Sequence, residues 1–223
     1  MNLDWDLLIR YAPELWTGLV TTLEIAGLGM AIALSLGAVV CAMRRARSPA
    51  FGPTAARSAA VAYITFFRIT PEVILIFWAY SCMPMITGWR IGGFTAGTVT
   101  LGLIGAAYFA EIFRSGIEVV PRGQIEAARA LGLKPYALWR CVVLPQALRF
   151  AIPSLVSYTT EFLKNTTLLA AIGVGDLALQ AYVLGGKTFH YFEFLSAIGA
   201  IYFLMIFPLS LLSRRLELRG GRG

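Results

Sequence analysis

"GQIEAARALGLKPYALWRCVVLPQA", residues 123–147, is a charged interruption in a chain whose flanking segments are apolar enough to span a bilayer. Gly123, Gly132, Pro135 and Pro145 punctuate it, and Glu126, Arg129, Lys134 and Arg140 charge it. The stretch reads as two short helices. Pro121 sits near a first helical turn, Gly132 ends the first helix, Lys134-Pro135 starts the second, and the second stops near Leu144-Pro145. On the first helix Ile125, Ala128 and Leu131 make an apolar ridge, while Arg122 with Glu126 and Glu126 with Arg129 stand at pairing distance. An amphipathic unit of this kind suits a groove on another protein, or a hairpin lying on the bilayer surface.

The rest of the chain explains why such a unit sits where it does. Of 223 residues, 58% are hydrophobic and 14% charged, whereas a soluble domain carries about a quarter charged residues. Several windows of about 20 apolar residues make the bilayer the solvent. The formal charge of +7 does not point to nucleic acid, since a basic recognition surface needs a soluble body to display it. Residues 1–20, "MNLDWDLLIRYAPELWTGLV", carry Asp4, Asp6 and Glu14 and no cationic n-region, so no cleavable secretory signal is expected there. Cys41, Cys82 and Cys141 are far apart without a CxxC pair, and His190 is the single histidine. That excludes an obvious metal site or disulfide scaffold and predicts three buried thiols.

Five spans follow from the apolar windows and their punctuation, near residues 15–42, 57–83, 92–117, 150–173 and 194–213. An odd number places the termini on opposite sides. Arg44, Arg45, Arg47 and Arg57 flank the first connection, Arg114 to Arg149 cover the third, and Arg214, Arg215, Arg219 and Arg222 end the chain, against Arg10, Arg90 and Lys187 on the other side. The positive-inside rule then puts the N-terminus outside and the C-terminus in the cytoplasm. Gly29, Ala33 and Gly37, and likewise Gly93 and Gly97, repeat at four-residue spacing and allow helix backbones to approach closely.

Two motifs look like nucleotide sites and fail on context. "AYVLGGKT", residues 181–188, fits a relaxed phosphate-loop pattern but leaves a span on the external side, as an ordinary loop. "GVGDLA", residues 173–178, is a truncated dinucleotide fingerprint with the same defect. His190 has no identifiable triad partner, and no HExxH, intramembrane aspartate pair or nucleophile elbow occurs, so an intramembrane enzyme is disfavoured.

"EAARALG", residues 126–132, followed by "LPQA", residues 144–147, resembles the EAA loop of ABC importer permeases, close to the polar amino acid uptake family. The likeness runs on through "ELWTGLVTTL" (14–23), "FFRITPEVILIFWAY" (66–80), "AYFAEIFRSGIEVVPRGQIEAARALG" (107–132), "LPQALRFAIPSL" (144–155), "EFLKNTTLLAAIGVGDL" (161–177) and "LSRRLE" (212–217). The resemblance implies an all-α integral membrane protein of MetI-like fold, with residues 1–223 forming one ABC transmembrane type-1 domain and 118–149 its cytoplasmic coupling loop. It further implies a second permease subunit, identical or not, a cytoplasmic ABC ATPase dimer, a periplasmic or lipid-anchored solute-binding protein and membrane lipid as partners, in the bacterial cytoplasmic membrane. Neither nucleic acid, a cofactor nor a metal is implied, and the subunit is expected to be no enzyme. On this likeness Glu126, Ala127, Ala128 and Gly132 form the ATPase contact.

Charges inside hydrocarbon mark the transport path, because each costs about 2.5 to 3.5 kcal/mol on insertion scales. Arg68 and Glu72 lie one turn apart on the second span, Glu111 on the third, and Glu161 and Lys164 three apart on the fourth. Ser154, Ser157, Glu161, Asn165 and Thr167 extend a polar side along the fourth span, facing either a water-filled cavity or another subunit. Thr70-Pro71 breaks the second span and frees a carbonyl, which membranes tolerate where backbone lines a cavity. Internal ion pairs, Arg68 with Glu72 and Glu161 with Lys164, are the structural alternative. The family's "RGTPLL" and "KDTSL" motifs map Thr70, Pro71, Lys164, Asn165 and Thr167 to the substrate site, and Glu111 and Glu161 join them as intramembrane carboxylates. Two positions depart from those motifs: Ile69 replaces the frequent Gly and Asn165 the frequent Asp. Asn offers only a neutral hydrogen bond to a cationic cargo. The expected function is a permease subunit carrying a polar amino acid or derivative by alternating access. A scaffold subunit whose partner holds the solute site and an ATP-independent secondary carrier are the alternatives.

Overall fold

The computed structural model describes residues 4–45, 47–48, 52–53 and 55–220. Residues 1–3 of the opening stretch and Arg222, counted with the basic C-terminal end, lie outside the described residues. A short helix α1 (Asp6–Arg10) leads into α2 (Ala12–Arg45). β1 (Arg47–Ser48) pairs antiparallel with β2 (Gly52–Pro53), Ser48 opposite Gly52, before α3 (Ala55–Ile69). After Thr70-Pro71 come α4 (Glu72–Phe77), a π turn (Trp78–Cys82) and α5 (Met83–Thr87). The chain continues through α6 (Gly93–Glu118), α7 (Arg122–Ala130), α8 (Pro135–Leu138), a second π turn (Trp139–Val143) and α9 (Leu144–Asn165). A 3₁₀ turn (Thr166–Ile172), α10 (Leu177–Thr188) and α11 (Tyr191–Gly220) complete it.

Among the described residues four helical runs are long and apolar enough to cross a bilayer: Ala12–Arg45, Gly93–Glu118, Pro135–Ile172 and Tyr191–Leu216. The pair Ala55–Ile69 and Glu72–Thr87, bent by 105° at Thr70-Pro71, makes up to a fifth. The break falls where proline removes an amide donor and its ring crowds the carbonyl four residues back.

Three expectations need correction. The helix begun at Pro135 does not stop at Leu144-Pro145. It runs on into α9 through the second π turn, which places Pro145 in the first turn of the α-helical segment, where a missing N–H costs little. The span expected over 150–173 therefore belongs to a helical run starting at Pro135. The segment 181–188, expected as a loop, lies within α10, so its amides are committed to a helix and cannot cradle phosphate. The three thiols are not uniformly buried: Cys41 is, Cys82 is half-buried and Cys141 is exposed.

The most intimate contact joins α2 to α6. A methyl group added at Gly37 would meet Phe109 Cβ at 2.8 Å and the Ala106 carbonyl at 3.1 Å; one added at Gly105 would meet Ala33 Cβ at 2.8 Å. The ring of Phe162 from α9 wedges into this seam, 2.7 Å from a methyl built at Gly29. Ile25, Ala33, Leu101, Phe109, Phe162 and Leu169 form the core around it. The tyrosine of α3, Tyr63, donates its hydroxyl to the Leu103 carbonyl at 2.6 Å and ties the bent span to α6.

At the other end α10 is held by a buried polar knot. Asp176, wholly buried, caps α10 by accepting from the Leu179 amide at 2.9 Å, and the Leu177 amide donates to the buried Thr22 hydroxyl at 3.1 Å. The Tyr202 hydroxyl is buried beside Thr22, Thr166 and Asp176. Asp176 lies in the link ahead of α10, outside the spanning helices, and burial pushes its carboxyl from 3.8 up to about 6 against the opposing pull of backbone amides.

Two predictions follow. Gly105→Leu forces a side chain into the α2–α6 seam, where overpacking costs about 1 to 3 kcal/mol, whereas Gly27, with nothing within 4 Å of an added methyl, tolerates leucine. Thermal unfolding in detergent should show a lowered Tm for the first variant alone; equal Tm values would refute the seam as the tight contact. For Asp176, the folded chain holds the proton more tightly than the unfolded chain. Stability from this group is therefore greatest below about pH 4, falls as pH rises to about 6 and then levels off. Asp176→Asn keeps the capping oxygen and removes the titration. Its stability relative to the parent should rise between pH 4 and pH 7 by on the order of 2 kcal/mol, and a pH-independent difference would sink the assignment.

Candidate functional site

The break in the second span gathers charge from three elements. The Thr70 amide still donates to Phe66 O at 3.1 Å, while Pro71 has no amide to give and its own carbonyl accepts from Ile74 at 3.1 Å and Leu75 at 3.3 Å. Arg68, just ahead of the break, lays its guanidinium over the ring of Tyr108 from α6, 5.3 Å from the centroid. Tyr108 stacks on Tyr158 from α9 at 4.7 Å, and Tyr158 meets Phe109 edge-on at 5.2 Å. Glu72 and Glu161 lie within electrostatic reach of one another and of both tyrosines. Lys164 reaches Glu161 at 3.4 Å, both side chains more than half exposed.

Two cations and two carboxylates thus converge beside a broken helix: Arg68 and Lys164 with Glu72 and Glu161. Among the described residues no ion pair joins Arg68 to Glu72, so the ring of Tyr108 takes the place of the expected internal partner. Arg68 is exposed, and a cation over an aromatic face at an exposed position gains about 0.5 to 1 kcal/mol and leaves the N–H donors at the guanidinium edge available.

The substrate-site residues named from sequence divide accordingly. Pro71, Glu161 and Lys164 stand at the convergence. Thr70 also lines an apolar cavity of about 500 Å³ between the bent span and α6, shared with Phe66, Trp78, Val99 and Leu103. Asn165 ends α9, and the Thr167 hydroxyl in the 3₁₀ turn donates to the Lys164 carbonyl at 2.7 Å. Glu111 does not join them. One of its carboxylate oxygens is held by Arg44 and the other by Arg114 at 2.8 Å, at the arginine-rich end of α6. Part of the polar side of the fourth span is likewise spent on packing: the Ser157 and Ser213 hydroxyls share a hydrogen bond of 2.6 Å, and Ser213 donates to Pro153 O at 3.1 Å. Tyr108 and Tyr158 escaped the sequence reading. Their signal was there, each tyrosine standing three residues before a glutamate on a spanning helix.

The interrupting unit forms a second site. Pro121 starts α7, and Gly132 ends it at φ +72° with its amide donating to Arg129 O at 2.9 Å and the Leu133 amide to Ala128 O at 3.1 Å. This left-handed closure favours glycine. The Gln146 side chain donates to Gln124 and clamps α7 to α9. Ala128 is corrected as a contact residue: it is 5% exposed and packs with Val120, Leu138, Val143 and Ala147, joined by the half-buried Ile125. The ridge that looked suited to a partner is largely consumed by the chain itself. The outward face carries Glu126, Ala127, Ala130 and Leu131, the last 79% exposed. Among the described residues Glu126 pairs with neither Arg122 nor Arg129, contrary to the spacing argument.

Residues 38–219 match the family described as binding-protein-dependent transport system inner membrane component. The chain is 34% identical over 217 residues to the arginine transport system permease protein ArtQ of Bacillus subtilis, covering 97% of each. It is also 34% identical over 220 residues to the glutamine transport system permease protein GlnP of Escherichia coli K12, covering 98% of each. A crystal structure of an amino acid ABC transporter with histidines superposes with a TM-score of 0.87 at 34% identity, covering 98% of this chain and all of that one. An inward-facing methionine ABC transporter, 23% identical, shares the fold with a TM-score of 0.73 over 93% of this chain and 98% of its own.

Proposed function

The chain belongs to the family of binding-protein-dependent transport system inner membrane components, and on that premise we propose that it is the permease subunit of an ABC importer for a polar amino acid or close derivative. It works in the bacterial cytoplasmic membrane by alternating access, as one of two permease subunits. The observation that carries the cargo class is the convergence of Arg68, Glu72, Tyr108, Tyr158 and Glu161 at the broken span. A zwitterion presents an ammonium and a carboxylate a few ångströms apart. Carboxylates at Glu72 and Glu161 suit the first, and the guanidinium edge of Arg68 suits the second. Thr70, Pro71, Lys164, Asn165 and Thr167 complete the surroundings, and the neutral amide of Asn165 favours cargo without a cationic side chain.

ATP hydrolysis belongs to a partner ATPase dimer, and cargo delivery to an external solute-binding protein. The outward face of α7, with Glu126, Ala127 and Leu131 and the turn at Gly132, is the ATPase contact. The arginine-rich ends, Arg44, Arg45 and Arg57 and the region of Arg114 to Arg149, lie on the cytoplasmic side, which puts the N-terminus outside and the C-terminus inside.

Proteoliposomes holding this subunit, its partner permease, ATPase and binding protein should accumulate radiolabelled amino acid only with ATP; uptake by the permease alone would identify a secondary carrier. Glu161→Gln and Glu72→Gln should lower transport by at least tenfold, the scale of losing one charged hydrogen bond to cargo, while leaving ATPase capture intact. Glu126→Lys with Gly132→Pro should do the reverse and release the ATPase in a pull-down. Normal transport by Asn165→Leu/Thr167→Leu would instead assign a scaffold role with the solute site in the partner.

A further inference from the structure

At the arginine-rich end, six guanidinium groups from four helices line one cavity of about 890 Å³: Arg44 and Arg45 of α2, Arg57 of α3, Arg114 of α6, and Arg122 and Arg129 of α7. Three carboxylates, Glu111, Glu118 and Glu126, stand in or against it. Glu111 and Glu118 are already engaged by Arg44 and Arg114, so the cavity keeps a cationic excess at Arg45, Arg122 and Arg129. Like charges gathered this closely repel, and an anion with several acceptor oxygens relieves that repulsion through guanidinium forks.

A second cavity of about 590 Å³ continues from the first. It shares Arg45 and Ile117 with it and is otherwise almost wholly apolar, running between α2 and α9 along Ala38, Ala42, Phe113 and Leu148. From Arg45 to Ala38 the groove descends α2 by about 10 Å at the helical rise, into the part of the helix that reads as bilayer-spanning. Arg45 marks the junction, its guanidinium lying 5.5 Å from the centroid of Trp139, which also lines the groove. Trp and Arg at such a junction anchor the boundary between hydrocarbon and headgroups.

We infer that the paired cavities bind one anionic phospholipid, its phosphate-bearing headgroup among Arg45, Arg122 and Arg129 and an acyl chain in the groove beside Ala38 and Leu148. Neither half suffices as a recognition surface: an arginine cluster alone takes any anion, and an apolar groove alone takes any chain. Their continuity selects an amphiphile with negative charge at one end, the chemistry of basic pockets between spanning helices. Because two of these arginines sit on α7, the headgroup joins the coupling unit to α2 by a bridge that neither helix supplies itself. The inference concerns a site away from Glu72 and Glu161, so it stands or falls independently of cargo.

The full chain in detergent, titrated with phosphatidylglycerol or phosphatidylcholine of identical acyl chains, tests it by native mass spectrometry and thermal shift. Expected are one tightly retained phosphatidylglycerol and a raised Tm, with phosphatidylcholine weaker by tenfold or more. Inorganic phosphate at matched concentration should give a much smaller shift, since it engages the arginines without filling the groove. Arg45→Gln/Arg129→Gln should weaken phosphatidylglycerol by at least tenfold, as expected from losing two charges near the headgroup. Ala38→Trp, at an exposed position, should fill the groove and weaken it with the arginines intact. Equal binding of both lipids, an equal shift from phosphate, or unchanged retention in both variants would overturn the inference. So would loss of the lipid when the complete transporter with its ATPase is assembled, since the cavity would then be a protein interface.

Discussion

The close approach of α2 and α6 is the contact on which the rest of the structure hangs. In a bilayer no hydrophobic gain drives two apolar helices together, and van der Waals contact between nearly bare backbones must do so instead. Gly29, Ala33 and Gly37 on one side and Gly102, Gly105 and Ala106 on the other leave no room for anything larger. Their seam then becomes the template for other elements. Phe162 plugs it and fixes α9, Tyr63 hooks the bent span to α6, and Gly18 nearer the start of α2 lets α10 come down onto it through Leu177 and Gln180. Helix α6 is buried over most of its length for this reason.

Around that axis, polar groups are sorted into three zones with different chemistry. The knot of Asp176, Thr22 and Tyr202 is closed to solvent and satisfies a helix start. The ladder of Arg44, Glu111, Arg114 and Glu118 is partly exposed and locks the far end of α6 to α2. Between them, Arg68 lies over the face of Tyr108, Glu161 meets Lys164 in an exposed ion pair, and Arg68 and Glu72 form no ion pair with one another among the described residues.

Much of this was legible in the sequence, and the failures have physical causes. The five apolar segments, the break at Thr70-Pro71 and the closure of α7 at Gly132 followed from hydropathy, a missing amide donor and a left-handed turn, all local effects. Pro145 misled because it reads as a stop. A π turn absorbed it, and that device leaves no mark on residue type. Helix α10 was missed although Asp176 stands directly ahead of the periodic Leu177, Ala181 and Leu184, because Gly185-Gly186-Lys187-Thr188 drew the eye as a loop. At the site, the intramembrane charges were visible one by one. Which of them meet was not, since Glu111 turns to two arginines and Tyr108 to a third only once three helices are assembled. The apolar ridge of α7 shows the same limit from another angle: periodicity reveals a face, while tertiary packing decides whether the chain's own core covers it, as it does at Ala128.

The helix that begins at Pro135 passes without interruption through the second π turn and α9 to Ile172, a single rod of 38 residues. Its first turn adjoins Gly132 and the outward face of α7, and its last turns carry Glu161 and Lys164. Phe162 seats the rod in the α2–α6 seam one residue from Glu161 and two from Lys164, so these charges ride on the stretch of helix that the tightest packing in the chain holds in place. The Pro135 end lies about 40 Å away along the helix at the usual rise. One continuous helix thus carries the segment packed against α7 at one end and the charges beside the bent span at the other, and a tilt of either end is a tilt of both.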